Sequence, residues 1–515
     1  MTRVRTYAFC LLAGAILATA SPPFDVFPAL WLGMAALAWR LYDDPAWPLF
    51  ASRTRVALTG ARRGLAFGVG ANLVALRFVP GVVAGFTPLP WAVGALGLLL
   101  LAAFEGSRWM LAAVASETLA RARVPRPVAF AAGVYAGTFV PTMMPWTPAG
   151  GVSPWPAMVQ LADVVGERGV TAIMALAAGL LAAGVNAARE RESRRRGALL
   201  VGGAVVVVAA QAVFGRARMA SVERVRLAAP HVEIGLVQPS VGASTRWDPA
   251  RAPVILDELR TLTKRAEARG ADVVVWHEAA YPFPVPHGAR SLGDAAREVV
   301  GDGVRGPVIT GLLTTGAADG ASYNSAAVVR PDGSVSPTYD KRHLLWFGET
   351  VPLADRIPWL RSVFARGLGL AAGDREVALT AGPVHAAVLV CYEDMLPEAG
   401  REAMDVAPNL LVNVTNDAWF RGSSESELHL RVATLRAVEL RRDMVRAVNF
   451  GPTSWVDAAG RVRARALPDV PSVLIADPAL LDGAPSLYAR WGDAPWALLA
   501  LVLANVAVWR RARHA

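Results

Sequence analysis

Two hydrophobic rhythms divide this chain. Up to about residue 215, apolar residues come in long runs, first at Tyr7–Ala20 and then at about 28–42, 64–82, 91–119, 127–143, 169–188 and 198–214. A helix needs about 20 apolar residues to cross a bilayer, so these runs predict a bundle of about seven membrane helices over residues 1–215, some with ragged ends. Glu105, Arg108 and Glu117 interrupt the run at 91–119. From residue 231 to about 480 the runs shorten and alternate with polar stretches. Apolar sequence returns at Ala494–Trp509, which predicts one more span.

Within 231–480 the periods predict a layered α/β domain. His231–Pro239 alternates like a strand, and Val254–Arg269 has helical spacing, with Pro253 suited to its first turn. Short apolar runs at 273–276, 307–313, 324–329, 384–390 and 409–414 read as strands, some buried on both faces. Pro331–Ser334 reads as a hairpin turn. Glu425–Arg442 reads as a helix, and 445–450 and 454–457 as the last strands. Residues 216–230 read as a short basic linker. Alternating elements followed by hairpins fit helices packed on sheets.

Composition supports the division. The chain has 515 residues, too many for one ordinary domain, and 54% are hydrophobic against 18% charged. Its net charge of +10 raises nucleic acid as a partner, but the arginines sort by loop. With the N-terminus inside, Arg3 and Arg5, then arginines at 53–63, 121–126, 189–196 and 510–513, fall on one side. The short loops 21–27, 83–90 and 144–168 carry only Arg168. This is the positive-inside pattern. It predicts cytoplasmic N- and C-termini, residues 216–493 outside the membrane, and no nucleic-acid role. Ala18-Thr19-Ala20 resembles a signal cleavage site, yet further spans follow at once, so the first run is read as a retained helix. The loops Ser21–Phe24 and Pro145–Pro156, rich in Pro and Trp, read either as an aromatic belt at the headgroup level or as a surface where lipid reaches the outer domain.

Chemistry gathers at three points of the outer domain. The apolar run 386–390 ends at Cys391, and Glu393 and Asp394 follow. The run 273–276 leads through His277 to Glu278. Lys341 is one of two lysines, with Lys264, in an arginine-rich chain. Lysine can be tuned by its surroundings and arginine cannot. A thiol acts as its thiolate and needs a base or a cation to become one. Taken alone, a cysteine after a buried strand is ordinarily a small core residue, and a strand-end glutamate an ordinary rim residue. The two cysteines, Cys10 and Cys391, lie in different regions, which leaves no disulfide framework, and no zinc spacing is evident.

The order Glu278, Lys341, Cys391, with gaps of 63 (341 − 278) and 50 (391 − 341) residues, resembles the Glu-Lys-Cys triad of the nitrilase superfamily. With Phe347-Gly348-Glu349-Thr350-Val351-Pro352, Cys391-Tyr392-Glu393 and Asn416-Asp417-Ala418-Trp419-Phe420, the chain resembles the apolipoprotein N-acyltransferase family. That resemblance implies two packed sheets flanked by helices (αββα) and an enzyme of the bacterial inner membrane with its catalytic domain in the periplasm. It implies Cys391 as nucleophile, Glu278 as base and Lys341 as the charge beside the thiolate. Trp247, Asn324, Glu349, Tyr392 and Glu393 fall on supporting positions. The implied reaction is ping-pong. An acyl chain passes from a phospholipid, through a cysteine thioester, to the amine of a diacylglyceryl-cysteine lipoprotein, without cofactor or metal. Departures from the family pattern are His277, Trp346 and Arg421, the turn Asn449-Phe450-Gly451, and no recognisable Arg-Gly pair between Tyr135 and Pro145. His343 and His429 are read as structural.

Two other readings stay open from the residues. One is a membrane-tethered amidase that passes its thioester to water. The other is a catalytically silent protein that binds lipid or lipoprotein. The stretch between Lys341 and Cys391 bears on the choice, because Ile357, Pro358, Trp359, Leu360, Val363, Phe364, Leu368 and Leu370 make it mostly apolar despite Arg361 and Arg366. An apolar surface suits a lipid or partner contact.

Overall fold

The computed structural model describes residues 3–42, 53–189, 194–293, 297–316, 320–351, 356–357, 359–360 and 369–512. The chain forms two compact units, one of residues 1–85, 89–218 and 491–515, the other of 86–88 and 219–490.

The first unit is helical: α1 Arg3–Ala18, α2 Ala29–Tyr42, α3 Arg53–Ala75, α4 Val79–Phe86, α5 Trp91–Arg121, α6 Arg126–Gly137, α7 Pro148–Val152, α8 Ala162–Arg189, most of α9 Arg194–Ala228, and the C-terminal helix Ala494–Ala512. Among the described residues α5, α8 and α9 are each long and apolar enough to cross a membrane. The pair Leu58–Ala75 and Val79–Phe86, bent by 57°, makes a fourth if counted as one span. Glu105 and Arg108 do not break α5. Glu105 is fully buried, sits 3.5 Å from Arg108, and accepts from the backbone N–H groups of Met143 and Met144 at 2.7 and 3.1 Å. Met143 ends the run expected to be helical, and Met144 lies just past it. The helix stops at Gly137 instead, with Pro141 and Pro145 beyond it, and the side chain of Glu105 satisfies the backbone that the helix leaves. Close packing elsewhere depends on small residues: a Cβ on Gly68 would run into the backbone of Gly106 across the α3–α5 contact.

The segment expected to be a linker is helical, because α9 continues to Ala228. Arg226, near its end, is buried and donates to both carboxylate oxygens of Asp443 at 2.8 and 2.7 Å. Arg226 anchors the helix end rather than solvating a tether.

The second unit holds two sheets. Thirteen strands build them: β1 Ile234–Gln238, β2 Val273–Val275, β3 Val285–Pro286, β4 Val308–Thr315, β5 Ser322–Val329, β6 Tyr339–Asp340, β7 Leu379–Ala381, β8 Val384–Val390, β9 Leu410–Asn416, β10 Met444–Asn449, β11 Ser454–Val456, β12 Val462–Arg465 and β13 Ser472–Ala476. The first sheet runs β13-β1-β2-β4-β5-β6, with β3 beside β4, and the second runs β12-β11-β10-β9-β8-β7. Each has a parallel centre, β1-β2-β4 and β8-β9-β10. Inward side chains from both sheets, such as Leu236, Val273, Val275, Ala386, Val388, Val390 and Val412, make one core. Their outward neighbours pack under helices. Val274 lies under α10 (Ala252–Ala268), and Ala387 and Leu389 under α11 (Glu425–Leu440). Period-two alternation in strands apolar on both faces therefore yields the αββα layering. The last strands extend past the expected end at 457. β12 is mostly exposed and lacks an apolar rhythm, and β13 returns antiparallel to β1 as the edge strand of the first sheet.

Candidate active site

Three strand ends build the site. β2 stops at Val275, and Trp276, His277 and Glu278 follow as a turn. Trp276 is fully buried and its indole N–H donates to Thr263 on α10 at 2.8 Å, which locks the strand end to the helix. The turn lies directly on Gly311 of β4: a Cβ there would stand 2.5 Å from both His277 O and Ala279 N. Only glycine permits that approach. Arg246 clamps the same turn from outside, donating to Ala279 O at 2.7 Å and Tyr281 O at 2.9 Å. Lys341 follows β6 directly, and Cys391 follows β8. Cys391 has φ +52°, a left-handed conformation that costs energy in a residue with a Cβ and lifts the thiol out of the strand's alternation.

The side chains converge. The Cys391 thiol interacts electrostatically with the Glu278 carboxylate and the Lys341 ammonium. Glu278 Oε1 lies 4.0 Å from Lys341 Nζ and accepts from Asn324 Nδ2 at 2.7 Å. Its Oε2 accepts from the Asn416 backbone N–H at 2.9 Å. Lys341 is 1% exposed and pairs with Glu349 Oε2 at 2.8 Å, while Asn324 Nδ2 also donates to Glu349 Oε1 at 2.9 Å. Glu349 accepts from the Leu345 N–H as well, at 2.9 Å.

Electrostatics follow from burial and these pairings. Burial pushes the Glu278 carboxyl up to about 7; Glu349 adds to the rise, and Lys341 and Asn324 oppose it. Burial and then the Glu278 carboxylate hold the Cys391 thiol well above its ordinary value, against the pull of Lys341. Burial alone would lower Lys341, but Glu349, Cys391, Glu278 and Glu393 more than reverse this and keep it charged. His277 is driven by burial down to about 3 and stays neutral, with its Nδ1 2.8 Å from Glu278 O.

The supporting positions divide. Asn324 and Glu349 touch the central group. Glu393 stands behind it, fully buried, accepting from Tyr339 Oη at 3.0 Å, Val390 N at 2.8 Å, Arg342 N at 2.8 Å and His343 N at 3.1 Å. It thereby joins the chain on both sides of Cys391 and Lys341. Trp247 is 43% exposed and links to the site through its neighbour Arg246, whose guanidinium lies 5.2 Å from the indole centroid. Tyr392 is half-buried beside Cys391. Trp346, Phe347, Ile357 and Trp359 are exposed apolar groups. Of the rest of that apolar stretch, Pro358 and 361–368 lie outside the described residues. Sequence reasoning missed Arg246, the Asn416 N–H and the buried group Asp394, Asp417, Glu425 and His429. The first two act on backbone, which leaves no motif, and the last comes from three separate elements.

Residues 234–482 match the family model described as carbon-nitrogen hydrolase, and residues 13–180 match the apolipoprotein N-acyltransferase N-terminal domain. The chain is 30% identical to the apolipoprotein N-acyltransferase of Geobacter metallireducens, covering 99% of this chain and 96% of that one. It is 30% identical to the enzyme of that name from Bradyrhizobium diazoefficiens, over 97% and 94%. Against that of Brucella melitensis it is 30% identical, over 88% and 85%. Among solved structures, an amidase from Nesterenkonia sp. is 21% identical with TM-score 0.37, covering 52% of this chain and 95% of that one. The three long apolar helices suit a membrane protein, and the two-sheet unit carries the carbon-nitrogen hydrolase match. Similarity that spans both parts makes this chain a member of the apolipoprotein N-acyltransferase family, and the protein an N-acyltransferase.

Proposed function

We propose that the protein moves an acyl chain from a phospholipid to the N-terminal amine of a diacylglyceryl-cysteine lipoprotein, through a thioester on Cys391. The observation that carries this is the convergence of a strained, half-buried thiol with Glu278, backed by the buried Lys341–Glu349 pair. In the first half-reaction Glu278 takes the thiol proton as sulfur attacks the ester carbonyl. The C–S bond forms, the ester C–O bond breaks, and Glu278 returns the proton to the departing lysophospholipid oxygen. Lys341 faces the charge that develops on sulfur and on the carbonyl oxygen. In the second half the acceptor amine attacks the thioester, the C–N bond forms, the C–S bond breaks, and Glu278 removes the ammonium proton. Glu349 and Asn324 keep Lys341 and Glu278 in register, and Glu393 holds the turn after Cys391. Trp247, Tyr392 and the exposed apolar groups near 346–359 would meet lipid. The catalytic unit faces the periplasm in this reading.

The test is intact-protein mass spectrometry of detergent-purified enzyme incubated with phospholipid. Wild type should gain one acyl chain, Cys391→Ala none, and a diacylglyceryl-cysteine peptide should remove the gain and become acylated. An adduct lost only to water would favour an amidase-like hydrolase. No adduct at all would remove the thioester.

A further inference from the structure

Behind the nucleophile lies a second buried group of charges that the reaction above does not use. His429, on α11, is 2% exposed. Its Nε2 stands 2.7 Å from Asp394 Oδ1, and its Nδ1 3.5 Å from Asp417 Oδ1. Asp394 belongs to the turn that begins at Cys391, and its other oxygen accepts from Arg446 Nε of β10 at 2.9 Å. Asp417 directly follows Asn416, the residue whose N–H holds Glu278. Both Asp394 and Asp417 are fully buried, and no hydrogen bond reaches either Asp417 oxygen. Glu425, at the start of the same helix, faces the group too.

We propose that His429 is a positioning residue, whose imidazolium ties the turn carrying Cys391 to the loop carrying Asn416 by bridging Asp394 and Asp417. This rests on the reading of Cys391 and Glu278 as nucleophile and base. Charge accounting supports it. Asp394 and Asp417 bring two negative charges, His429 and Arg446 two positive ones. Glu425 is pushed by burial and by Asp417 up to about 8, so it is neutral below that pH. His429 would be lowered by burial, but Asp394 and Asp417 raise it to about 10, so it keeps both ring protons at neutral pH. The group therefore closes with no further ion. Asp417, Glu425 and His429 do place possible ligand atoms within 4.8 Å of one another. An imidazolium, protonated on both ring nitrogens, has no lone pair to give a metal. The consequence reaches the thiol: the Asp417 charge works against ionising Cys391, and His429 offsets that charge.

The experiment is the pH dependence of Cys391 alkylation by iodoacetamide in the full-length protein, read on the Cys391 peptide. It needs no phospholipid, so it stays informative even if wild type forms no acyl adduct, which would sink the acyl-transfer reading alone. In His429→Gln the profile should move to higher pH by about half a unit or more, since an opposite charge is withdrawn. Adding Asp417→Asn should bring it back, as expected of two coupled groups. A merely structural histidine would lower thermal stability and leave the profile on that of wild type, and that result overturns the proposal. If His429→Gln does not yield folded protein, Asp417→Asn alone decides: a shift to lower pH supports the tie, and an unmoved profile overturns it. Stoichiometric divalent metal in the purified wild type would also overturn it.

Discussion

In the proposed reaction Glu278 takes a proton and gives it back, and its surroundings are divided accordingly. Burial favours the neutral acid, while Lys341, Asn324 and the Asn416 N–H favour the carboxylate. The balance, near 7, is where a base works best at neutral pH. With the carboxyl raised, the base form is present above about pH 7 and lost below it. Single-turnover acylation of Cys391 should therefore rise with pH through about 7 and fall away on the acid side. A flat rate between pH 5 and 8 would rule Glu278 out as the base. Glu278→Gln should slow acylation by about 10²–10⁴-fold. Glu349→Gln acts one step back. It leaves the Lys341 charge with the 4.0 Å contact to Glu278 as its nearest carboxylate partner. That draws the Glu278 proton off more easily, so the acid limb should move to lower pH while the rate falls. An unmoved limb would show that Glu349 serves only the fold.

At the scale of elements, the site depends on where strands stop. Glu278, Lys341 and Cys391 follow β2, β6 and β8, and the turn after β2 can reach its place only because Gly311 has no side chain. Gly311→Ala should push the Glu278 turn off β4 and cost about 10²-fold in acylation, the scale expected for misplacement of a reacting group. The mass of the Cys391 adduct, once formed, should be unchanged. Retention of full rate would mean the turn has slack. This dependence explains what could be read in advance. Apolar runs ending in a polar or thiol side chain are local, so β2, β8, α10 and α11, with Glu278 and Cys391 just past two of the strands, were legible from residues 252–442 alone, whereas Lys341 stood out by its rarity among arginines and by an order resembling a family triad. Glu349 and Asn324 were reached through motifs resembling a family, not through spacing. Partners that meet through backbone, such as Asn416 with Glu278 or Arg246 with Ala279, leave no pattern. Neither does the bridge His429–Asp394–Asp417, where a histidine expected to be structural meets two acids far apart in the chain. β12 and β13 escaped because one is mostly exposed and the other completes a sheet begun about 240 residues earlier.

For the whole molecule, the question is which side of a membrane the chemistry faces, and α9 bears most directly on it. Its 35 residues span about 52 Å at helical rise, against a hydrocarbon core of about 30 Å. Val205, Val206 and Val213 are exposed along it, as lipid-facing residues would be. Arg194, Arg195 and Arg196 stand at its start, and its last turns, from Met219, belong to the two-sheet unit. A single crossing would put these ends on opposite sides, and under the positive-inside rule the arginine end is the cytoplasmic one. In the proposed reading the two-sheet unit would then face the periplasm, as the proposed lipoprotein acceptor requires. Two single-cysteine variants test this, each with Cys10 and Cys391 replaced by alanine. Asp332→Cys lies in the exposed turn after β5, and Arg195→Cys at the exposed start of α9. A membrane-impermeant maleimide that has passed the outer membrane of intact cells should label Asp332→Cys and reach Arg195→Cys only after the inner membrane is opened. Labelling of Arg195→Cys alone in intact cells would invert the topology and place Cys391 on the wrong side for its acceptor. Labelling of both would mean that α9 does not cross, and the acyl donor would then have to reach Cys391 by a route other than the one proposed.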